Sequence, residues 1–306
     1  MFELIKHGTK IDFLGWARVY FIISGLLVVG SLALIFGKGF NYGVDFSGGT
    51  VVQVKFENVP DIEVMRNVLN NAVEGKVSIQ NFGGELDFMI KAEQTSEDLQ
   101  VVATSIQQAL LDNIKDGGSI TIERVEQVGP QVGKDLKYKA LMAVLYAVIG
   151  ILIYIAVRFQ FIYGIGAIIA LVHDIILTLA VIILAGISFD LTVLASVLTV
   201  VGYSLNDKIV VFDRIRENVK GSPDVPLMQI MNKSINETLS RTILTSTSTL
   251  LALISLYFFG GEVIHGFSLA MIVGIIIGTY SSIGIASSSV YFIKKITSDK
   301  KSGAKA

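Results

Sequence analysis

The chain alternates between long apolar runs and polar stretches. The apolar runs extend over residues 19–37, about 138–157, 162–185, 190–211, 243–260 and 266–293. An α-helix needs about 20 predominantly apolar residues to cross the hydrocarbon core of a bilayer. The pattern therefore predicts an α-helical polytopic membrane protein with six transmembrane helices. Residues 1–18 form the predicted N-terminus, 38–136 a separate domain, 137–293 a five-helix region and 294–306 a tail.

The first run predicts an anchor that stays uncleaved. It is longer than the apolar core of a signal peptide, which has about 7–15 residues, and no small-residue cleavage pattern follows it. Trp16 and Tyr20 are placed for the membrane interface, and Arg18 lies on the same side.

The polar stretch 38–136 has the periodicity of an α+β domain. Apolar and polar residues alternate in 50–56, 77–82, 86–92 and 119–128, which predicts strands, with a turn at Gly83-Gly84. Helical spacing follows Asp61 up to residue 73, and a second helix is predicted over 96–114, opened by Ser96. The order strand, helix, strand, strand, helix, strand is typical of a ferredoxin-like fold. Since no acid, His or Ser cluster occurs in it, we expect a binding or mechanical domain rather than an active site.

Composition narrows the function classes. Of 306 residues, 52% are hydrophobic and 17% charged, and the net charge of -1 offers no global field for nucleic acid. Without cysteine there are no disulfides, thiolate metal sites or thiol nucleophiles, and His7, His173 and His265 are too scattered to predict a metal site. We expect neither a metal nor a cofactor.

Lys and Arg predict the orientation in the membrane. They are absent from the turns 186–190 and 259–266, and they are frequent in the other connections and the tail: Arg158, Arg214, Arg216, Lys220, Lys233, Arg241, Lys294, Lys295, Lys300, Lys301 and Lys305. With Lys6, Lys10 and Arg18, the positive-inside rule places both termini in the cytoplasm and the α+β domain on the outer, periplasmic side.

Charges inside the fourth run are the main functional signal. Asp207 lies seven positions before Arg214, which is about 10 Å inside the predicted cytoplasmic boundary. Tyr203 and Ser204 precede it by one turn and could hydrogen-bond to one of its protonation states. Lys208 points about 100° away, so an ion pair with its neighbour has poor geometry. An intramembrane carboxylate is a candidate proton carrier, although Asp207 and Lys208 could also be an interfacial pair that merely ends the helix.

Other polar residues interrupt the neighbouring runs. His173 and Asp174 lie about mid-way along the third run and are costly there unless they face a bundle interior. Arg241 opens the fifth run ahead of a Thr- and Ser-rich face, 245–249, which favours helix packing over a conduction path. Gly274 and Gly278 form a GxxxG pattern, a weak indication of close helix packing.

Several long motifs carry a resemblance. They are "FNYGVDFSGGT" after the first run, "GYSLNDKIVVFDRIREN" in the fourth, "LSRTILTSTSTL" in the fifth and "FGGEVIHGFSLAMIVGIIIGTYSSIGIAS" in the sixth. In order and register, over essentially the whole chain, the sequence resembles the SecF family of the bacterial SecDF preprotein translocase complex.

The resemblance implies a membrane fold of the RND superfamily in the cytoplasmic (inner) membrane. It also implies a SecD partner with six further spans, association with the SecYEG channel, and use of the proton motive force to assist late protein export after the SecA ATPase has acted. SecA would be an indirect partner, exported preproteins would be clients, and YajC and YidC are further partners that the resemblance admits. Such a subunit is not an enzyme.

The resemblance also assigns roles to individual residues. Asp207 matches the acid proposed to take part in proton transport and Arg241 the basic residue associated with it. Further matches are Asp45, Gly48 and Gly49 at the junction with the outer domain, and Asp213, Arg214 and Glu217 at the cytoplasmic helix end. We expect supporting roles for Tyr203, Ser204, Asn206, Lys208, His173 and Asp174.

Lys208 departs from the family pattern, which has a small polar residue at this position. An ammonium group close to Asp207 would hold that carboxyl ionised. The alternative is that Lys208 points elsewhere, toward lipid headgroups or the partner.

Two other classes of protein fit part of the pattern. An RND-type exporter of small molecules or lipids would share the fold, although six spans are only half of such a bundle. A non-conducting scaffold subunit would use the same charges for packing. An intramembrane enzyme is disfavoured because no Ser/His or paired-carboxylate arrangement is visible.

Overall fold

A computed structural model of the chain describes residues 9–73, 75, 77–81, 85–92, 99–114, 117–158, 161–222 and 224–303. Within these ranges, six helical segments are long and apolar enough to cross a membrane: Leu14–Lys38, Gln131–Ile155, Phe161–Leu184, Leu191–Gly221, Leu227–Phe259 and Ile264–Thr297. The predicted class of polytopic helical membrane protein is confirmed.

The helices of the membrane region are longer than several of the apolar runs. Their bounds are α1 Ala17–Lys38, α5 Pro130–Arg158, α6 Phe161–Leu184, α7 Leu191–Gly221, α8 Leu227–Phe259, α9 Glu262–Ser281 and α10 Ser287–Gly303. A short α2, Val44–Ser47, follows α1, and a π-helical turn, Ser282–Ala286, joins α9 to α10. α7 and α8 continue well beyond the apolar residues, and their extensions are joined by hydrogen bonds from Arg214 to Glu237 and from Asn218 to Ser234.

The predicted ferredoxin-like domain is confirmed. Its elements are β1 Gly49–Phe56, α3 Ile62–Ala72, β2 Val77–Asn81, β3 Asp87–Ala92, α4 Leu99–Asn113 and β4 Ile120–Val128. The strands form one antiparallel sheet in the order β2-β3-β1-β4. The carboxylate of Asp61 accepts hydrogen bonds from the N–H groups of Glu63 and Val64, as predicted for the cap of α3. The predicted Ser96 cap and Gly83-Gly84 turn lie outside the described residues.

One face of the sheet is covered by α3 and α4. Alternate residues of β1, namely Val52, Val54 and Phe56, are buried against the apolar faces of the two helices, as the period of two predicts. The ring of Phe56 meets that of Phe88 on β3 edge to face at 5.6 Å. This small domain therefore has a hydrophobic core of its own.

The membrane helices are unequal in burial. About half of the residues of the apolar windows of α6, α7 and the last span are buried inside the protein, whereas α1 and α5 expose most of theirs. Thus α6, α7 and α9 form the centre of the bundle. The outward faces of α1 and α5 are apolar surfaces suited to lipid or to another membrane subunit.

An aromatic cluster joins the domain to the bundle. Phe40, Tyr42 and Phe46, from the segment that follows α1, contact Phe189 in the turn before α7, with ring centroids 5.0 to 6.4 Å apart. The backbone N–H of Phe189 also donates to the carbonyl oxygen of Asn41 at 2.7 Å. The turn between α6 and α7 is therefore fixed to the base of the ferredoxin-like domain.

Candidate functional site

Asp207 lies on α7 inside the bundle. Its side chain is 3% exposed, and its Oδ2 atom is buried without a hydrogen-bond partner. Arg241, on α8, is exposed and interacts with Asp207 electrostatically, but no contact of 4.0 Å or less joins the two described side chains. The structure therefore brings the two predicted proton-transport residues to one region without pairing them directly.

Lys208 points away from Asp207 and into the centre of the bundle. It is fully buried, and its Nζ lies 2.8 Å from Oδ2 of Asp174 on α6. The same ammonium donates to the hydroxyl groups of Ser204, at close range, and of Ser281 on α9, at 3.1 Å. Of the alternatives that the sequence left open, Lys208 points elsewhere, but toward α6 rather than toward lipid headgroups.

Asp174 is the acceptor at the centre of this group. Its Oδ2 accepts hydrogen bonds from Ser204 Oγ at 2.6 Å and Ser281 Oγ at 2.7 Å, in addition to Lys208. Its Oδ1 lies 2.9 Å from Nδ1 of His173, whose Nε2 is buried without a partner. We call Asp174, Lys208, Ser204, Ser281 and His173 the buried charge cluster. It unites three helices around one ion pair.

Two glycines make this approach of helices possible. A Cβ atom on Gly278 would lie 2.8 Å from Ser204 Oγ, and one on Gly274 would lie 2.9 Å from Val200 Cβ. The GxxxG pattern thus marks the place where α9 crosses α7 at close range, as predicted. The π-helical turn Ser282–Ala286 begins directly after Ser281, and such turns are frequent at functional sites.

The predicted supporting residues divide between different partners. Ser204 serves the buried charge cluster, and the hydroxyl group of Tyr203 pairs with that of Thr249 on α8 at 3.2 Å. Neither forms a hydrogen bond with Asp207 in the described structure, so the expected direct support of Asp207 by these two groups is not seen. Asn206 is exposed. Ser204 does not reach Asp207 for a geometric reason. It lies three residues before Asp207 and four before Lys208, and its hydroxyl group points to the Lys208 side of the helix.

The Arg214 end of the bundle carries an exposed ion-pair network. Arg214 Nε donates to Glu237 on α8 at 2.6 Å, and its Nη1 to Glu217 at 2.9 Å. Asp213 accepts from Arg158 at the end of α5 at 2.6 Å. The residues predicted for this helix end therefore tie α7 to α5 and α8.

Asp45 and the glycines after it lie at the junction of domain and bundle. The Oδ2 atom of Asp45 accepts a hydrogen bond from the backbone N–H of Leu191, the first residue of α7, at 3.1 Å. Gly48 has φ of 77° and Gly49 of 136°, conformations that favour glycine where α2 turns into β1. A Cβ on Gly133 of α5 would lie 3.0 Å from the backbone nitrogen of Gly48. The motif thus brings the backbone before β1 close to those of α5 and α7.

In the part of the chain that the structure describes, no three His, Cys, Asp or Glu side chains lie close enough together to hold a metal ion. The ionisable groups of α6, α7 and α8 can exchange protons and form ion pairs.

The fold and the buried charges define a multi-pass membrane protein with a ferredoxin-like domain between its first two spans. Residues 106–296 match the family described as protein export membrane protein SecD/SecF, C-terminal, and residues 33–58 match the SecD/SecF GG motif. The chain is 54% identical over 297 residues to the protein translocase subunit SecF of Calditerrivibrio nitroreducens, covering 96% of this chain and 97% of the relative. It is 41% identical over 288 residues to SecF of Escherichia coli O157:H7, covering 93% and 88%. The chain belongs to the SecF family of protein translocase subunits.

Solved structures agree with this assignment. The crystal structure of SecDF from Thermus thermophilus, a translocon-associated membrane protein, superimposes with a TM-score of 0.83 at 37% identity, covering 94% of this chain and 39% of that one. A second SecDF crystal structure, in the super-membrane-facing form, superimposes with a TM-score of 0.74 at 35% identity, covering 100% of this chain and 41% of that one. The chain therefore spans about two fifths of the SecDF chains that it matches.

Proposed function

We propose that this chain is the accessory subunit of a Sec translocase that, together with SecD, uses the proton motive force to assist late protein export through SecYEG, after the SecA step. Membership of the SecF family supports the translocase role. The match covers only 39% of a solved SecDF chain, so most of that chain lies outside the part that this chain resembles. This supports a SecD partner for the chain. The role is that of a coupling subunit rather than of an enzyme.

The proposed topology follows from the basic residues. Both termini and the Arg214 end of the bundle lie in the cytoplasm, and the ferredoxin-like domain lies outside the inner membrane. In this orientation the domain meets exported preproteins on the side where they emerge. SecYEG, and beyond it YajC and YidC, are proposed as further membrane partners, and SecA as an indirect one.

The observation that carries the proton role is the unpartnered carboxylate oxygen of Asp207. A buried carboxylate oxygen that accepts no hydrogen bond makes the ionised form costly. The burial of Asp207 therefore favours its neutral form, which holds a proton. Neutralisation also removes the attraction between Asp207 and Arg241 across α7 and α8. The two charge states therefore favour different packing of these helices.

The energy available is sufficient for such a change. One proton that crosses the membrane potential contributes about 2.3 kcal/mol per 100 mV. A shift of this size moves a two-state equilibrium whose states differ by a few kcal/mol. The aromatic cluster around Phe189 connects the α6–α7 turn to the ferredoxin-like domain, so a change in α7 reaches the domain through described contacts.

The test compares Asp207→Asn with the wild-type chain in membrane vesicles that contain SecD, SecYEG and SecA. After SecA has started translocation, completion of export is measured with and without an uncoupler. We expect Asp207→Asn to reduce completion of export to the level that the wild type reaches in the presence of the uncoupler. The variant should still co-purify with SecD. Asp112→Asn, which alters an exposed carboxylate on α4, is the matched control and should behave like the wild type.

Two results would overturn the proposal. Uncoupler-sensitive completion at the wild-type rate in Asp207→Asn would exclude the proton role. Loss of co-purification with SecD in Asp207→Asn, with uncoupler-sensitive completion restored when assembly is rescued, would assign the residue to a scaffold.

A further inference from the structure

Two buried carboxylates and one buried cation lie in the centre of the helix bundle. Asp174 is 1% exposed, Asp207 3%, and Lys208 is fully buried between α6 and α7. Lys208 is in direct contact with Asp174. It follows Asp207 directly in α7, and its side chain points toward Asp174.

The charges of this group do not balance when both acids are ionised. Two buried carboxylates then stand beside a single buried ammonium group, and Arg241 of α8 is exposed on the surface of the chain. An uncompensated charge in a dry interior is strongly disfavoured, and the group neutralises by binding a proton instead. The charges of the group balance when one of the two acids holds a proton.

We propose that Asp174 is a second proton-binding group of this chain and that Lys208 couples its protonation to that of Asp207. The proposal rests on the proposed role of Asp207 in proton transport. When Asp174 binds a proton, the ion pair with Lys208 is lost and the ammonium is free to stabilise ionised Asp207. When Asp207 binds the proton, Lys208 remains paired with Asp174.

In this proposal His173 is the group that passes a proton to Asp174. Its Nδ1 lies 2.9 Å from Oδ1 of Asp174, and because an ionised carboxylate can only accept, the tautomer that fits carries its proton on Nδ1. Its Nε2 has no hydrogen-bond partner among the described residues. A proton bound at Nε2 allows the Nδ1 proton to pass to Oδ1, which leaves a neutral imidazole in the other tautomer and a neutral carboxylic acid. The starting state returns when Asp174 gives its proton back to Nδ1 and Nε2 releases the proton that it bound.

The other ionisable groups around the cluster leave this balance unchanged. Tyr280 of α9 lies 6.2 Å from His173 between ring centroids, and Tyr20 of α1 meets Tyr280 edge to face. Both are phenols, which are uncharged at neutral pH. The hydroxyls of Ser204 and Ser281 donate to Asp174 and accept from Lys208, so they lower the cost of the ion pair without adding charge.

The test is infrared difference spectroscopy of the full chain, with its SecD partner, in lipid vesicles titrated with acid. Protonated carboxyl groups give a C=O band that is separate from the carboxylate bands. We expect one band that disappears in Asp174→Asn and another that disappears in Asp207→Asn. In Asp174→Asn the midpoint of the Asp207 band should move to lower pH by about one unit, because Lys208 then compensates Asp207 alone.

Lys208→Thr tests the coupling from the other side. Without the shared cation the midpoints of both bands should move to higher pH, and Asp112→Asn should move neither. Absence of a carboxyl band that depends on Asp174, or a midpoint of Asp207 that is the same in Asp174→Asn and wild type, would overturn the proposal. If Asp174→Asn does not fold, it is replaced by Asp174→Glu, for which the band should persist at a shifted midpoint.

The two proposals fail separately. If the Asp174 and Asp207 bands are coupled but export in Asp207→Asn stays uncoupler-sensitive, the proposed function fails and the coupled site stands. If export depends on Asp207 but no Asp174 band appears, Asp174 and Lys208 are only a structural ion pair.

Discussion

Gly278 of α9 packs directly against Ser204 of α7, so that a Cβ atom at position 278 would lie 2.8 Å from Ser204 Oγ and 2.9 Å from its Cβ. We expect Gly278→Ala to destabilise the bundle by about 1–3 kcal/mol, the usual cost of overpacking. Thermal unfolding in detergent measures the effect. Gly25→Ala is the matched control: position 25 also lies within a helix, α1, but has open space around it. This control should be neutral or raise stability by up to about 1 kcal/mol. Equal midpoints for the two variants would contradict the close crossing.

The partner of Lys208 could not be predicted from the sequence. The apolar runs and the strand and helix order were sufficient to predict the spans and the ferredoxin-like domain, since both depend on local periodicity. Which way Lys208 turns depends on the rotation of α7 against α6 and α9, and Asp174 is 34 residues away in sequence. The available signal was the spacing of Ser204 and Lys208 by four residues, together with Asp174 inside the third run. These observations indicate a shared polar face but not its partner.

Asp45 predicts a specific link between the ferredoxin-like domain and the bundle. Asp45→Ala removes the acceptor for the N–H of Leu191, and loss of a side-chain acceptor at a helix N-terminus costs about 1 kcal/mol. Hydrogen exchange at the start of α7 should become faster, while exchange in the sheet should stay unchanged. Asp61→Ala, which removes the cap of α3 inside the domain, is the control and should affect α3 alone. Unchanged exchange at Leu191 in Asp45→Ala would contradict the link.

Glu57 predicts a pH-dependent contact in the ferredoxin-like domain. Hydrogen bonds from the N–H and hydroxyl of Ser119 hold the pKa of Glu57 below its ordinary 4.5. Because the folded-state pKa is lowered, the contact stabilises the domain fully above about pH 4.5, the unfolded value, and this contribution is lost as the pH falls through the folded-state pKa.

The amide signal of Ser119, observed by nuclear magnetic resonance in chain labelled with nitrogen-15 serine, measures this titration. It should shift with a midpoint below 4.5 in the wild type and show no such step in Glu57→Gln. A midpoint above 4.5 would mean that the hydrogen bonds to Ser119 do not favour the carboxylate.

The ion pair of Lys208 and Asp174 predicts an unequal effect of single and double substitutions. Removing one partner leaves an uncompensated buried group, so Asp174→Leu and Lys208→Met alone should each destabilise the bundle by about 3–5 kcal/mol. Replacing both by apolar side chains of similar size removes both charges together, and the double variant should recover most of that loss. Unfolding midpoints of the four proteins in the same detergent give the coupling energy. The exposed pair Arg158 and Asp213, treated in the same way, should give a coupling of only about 0–1 kcal/mol because solvent screens it. If the losses of unfolding free energy in the two single variants simply add in the double variant, the two charges do not stabilise each other. The ion pair would then not contribute to the stability of the bundle.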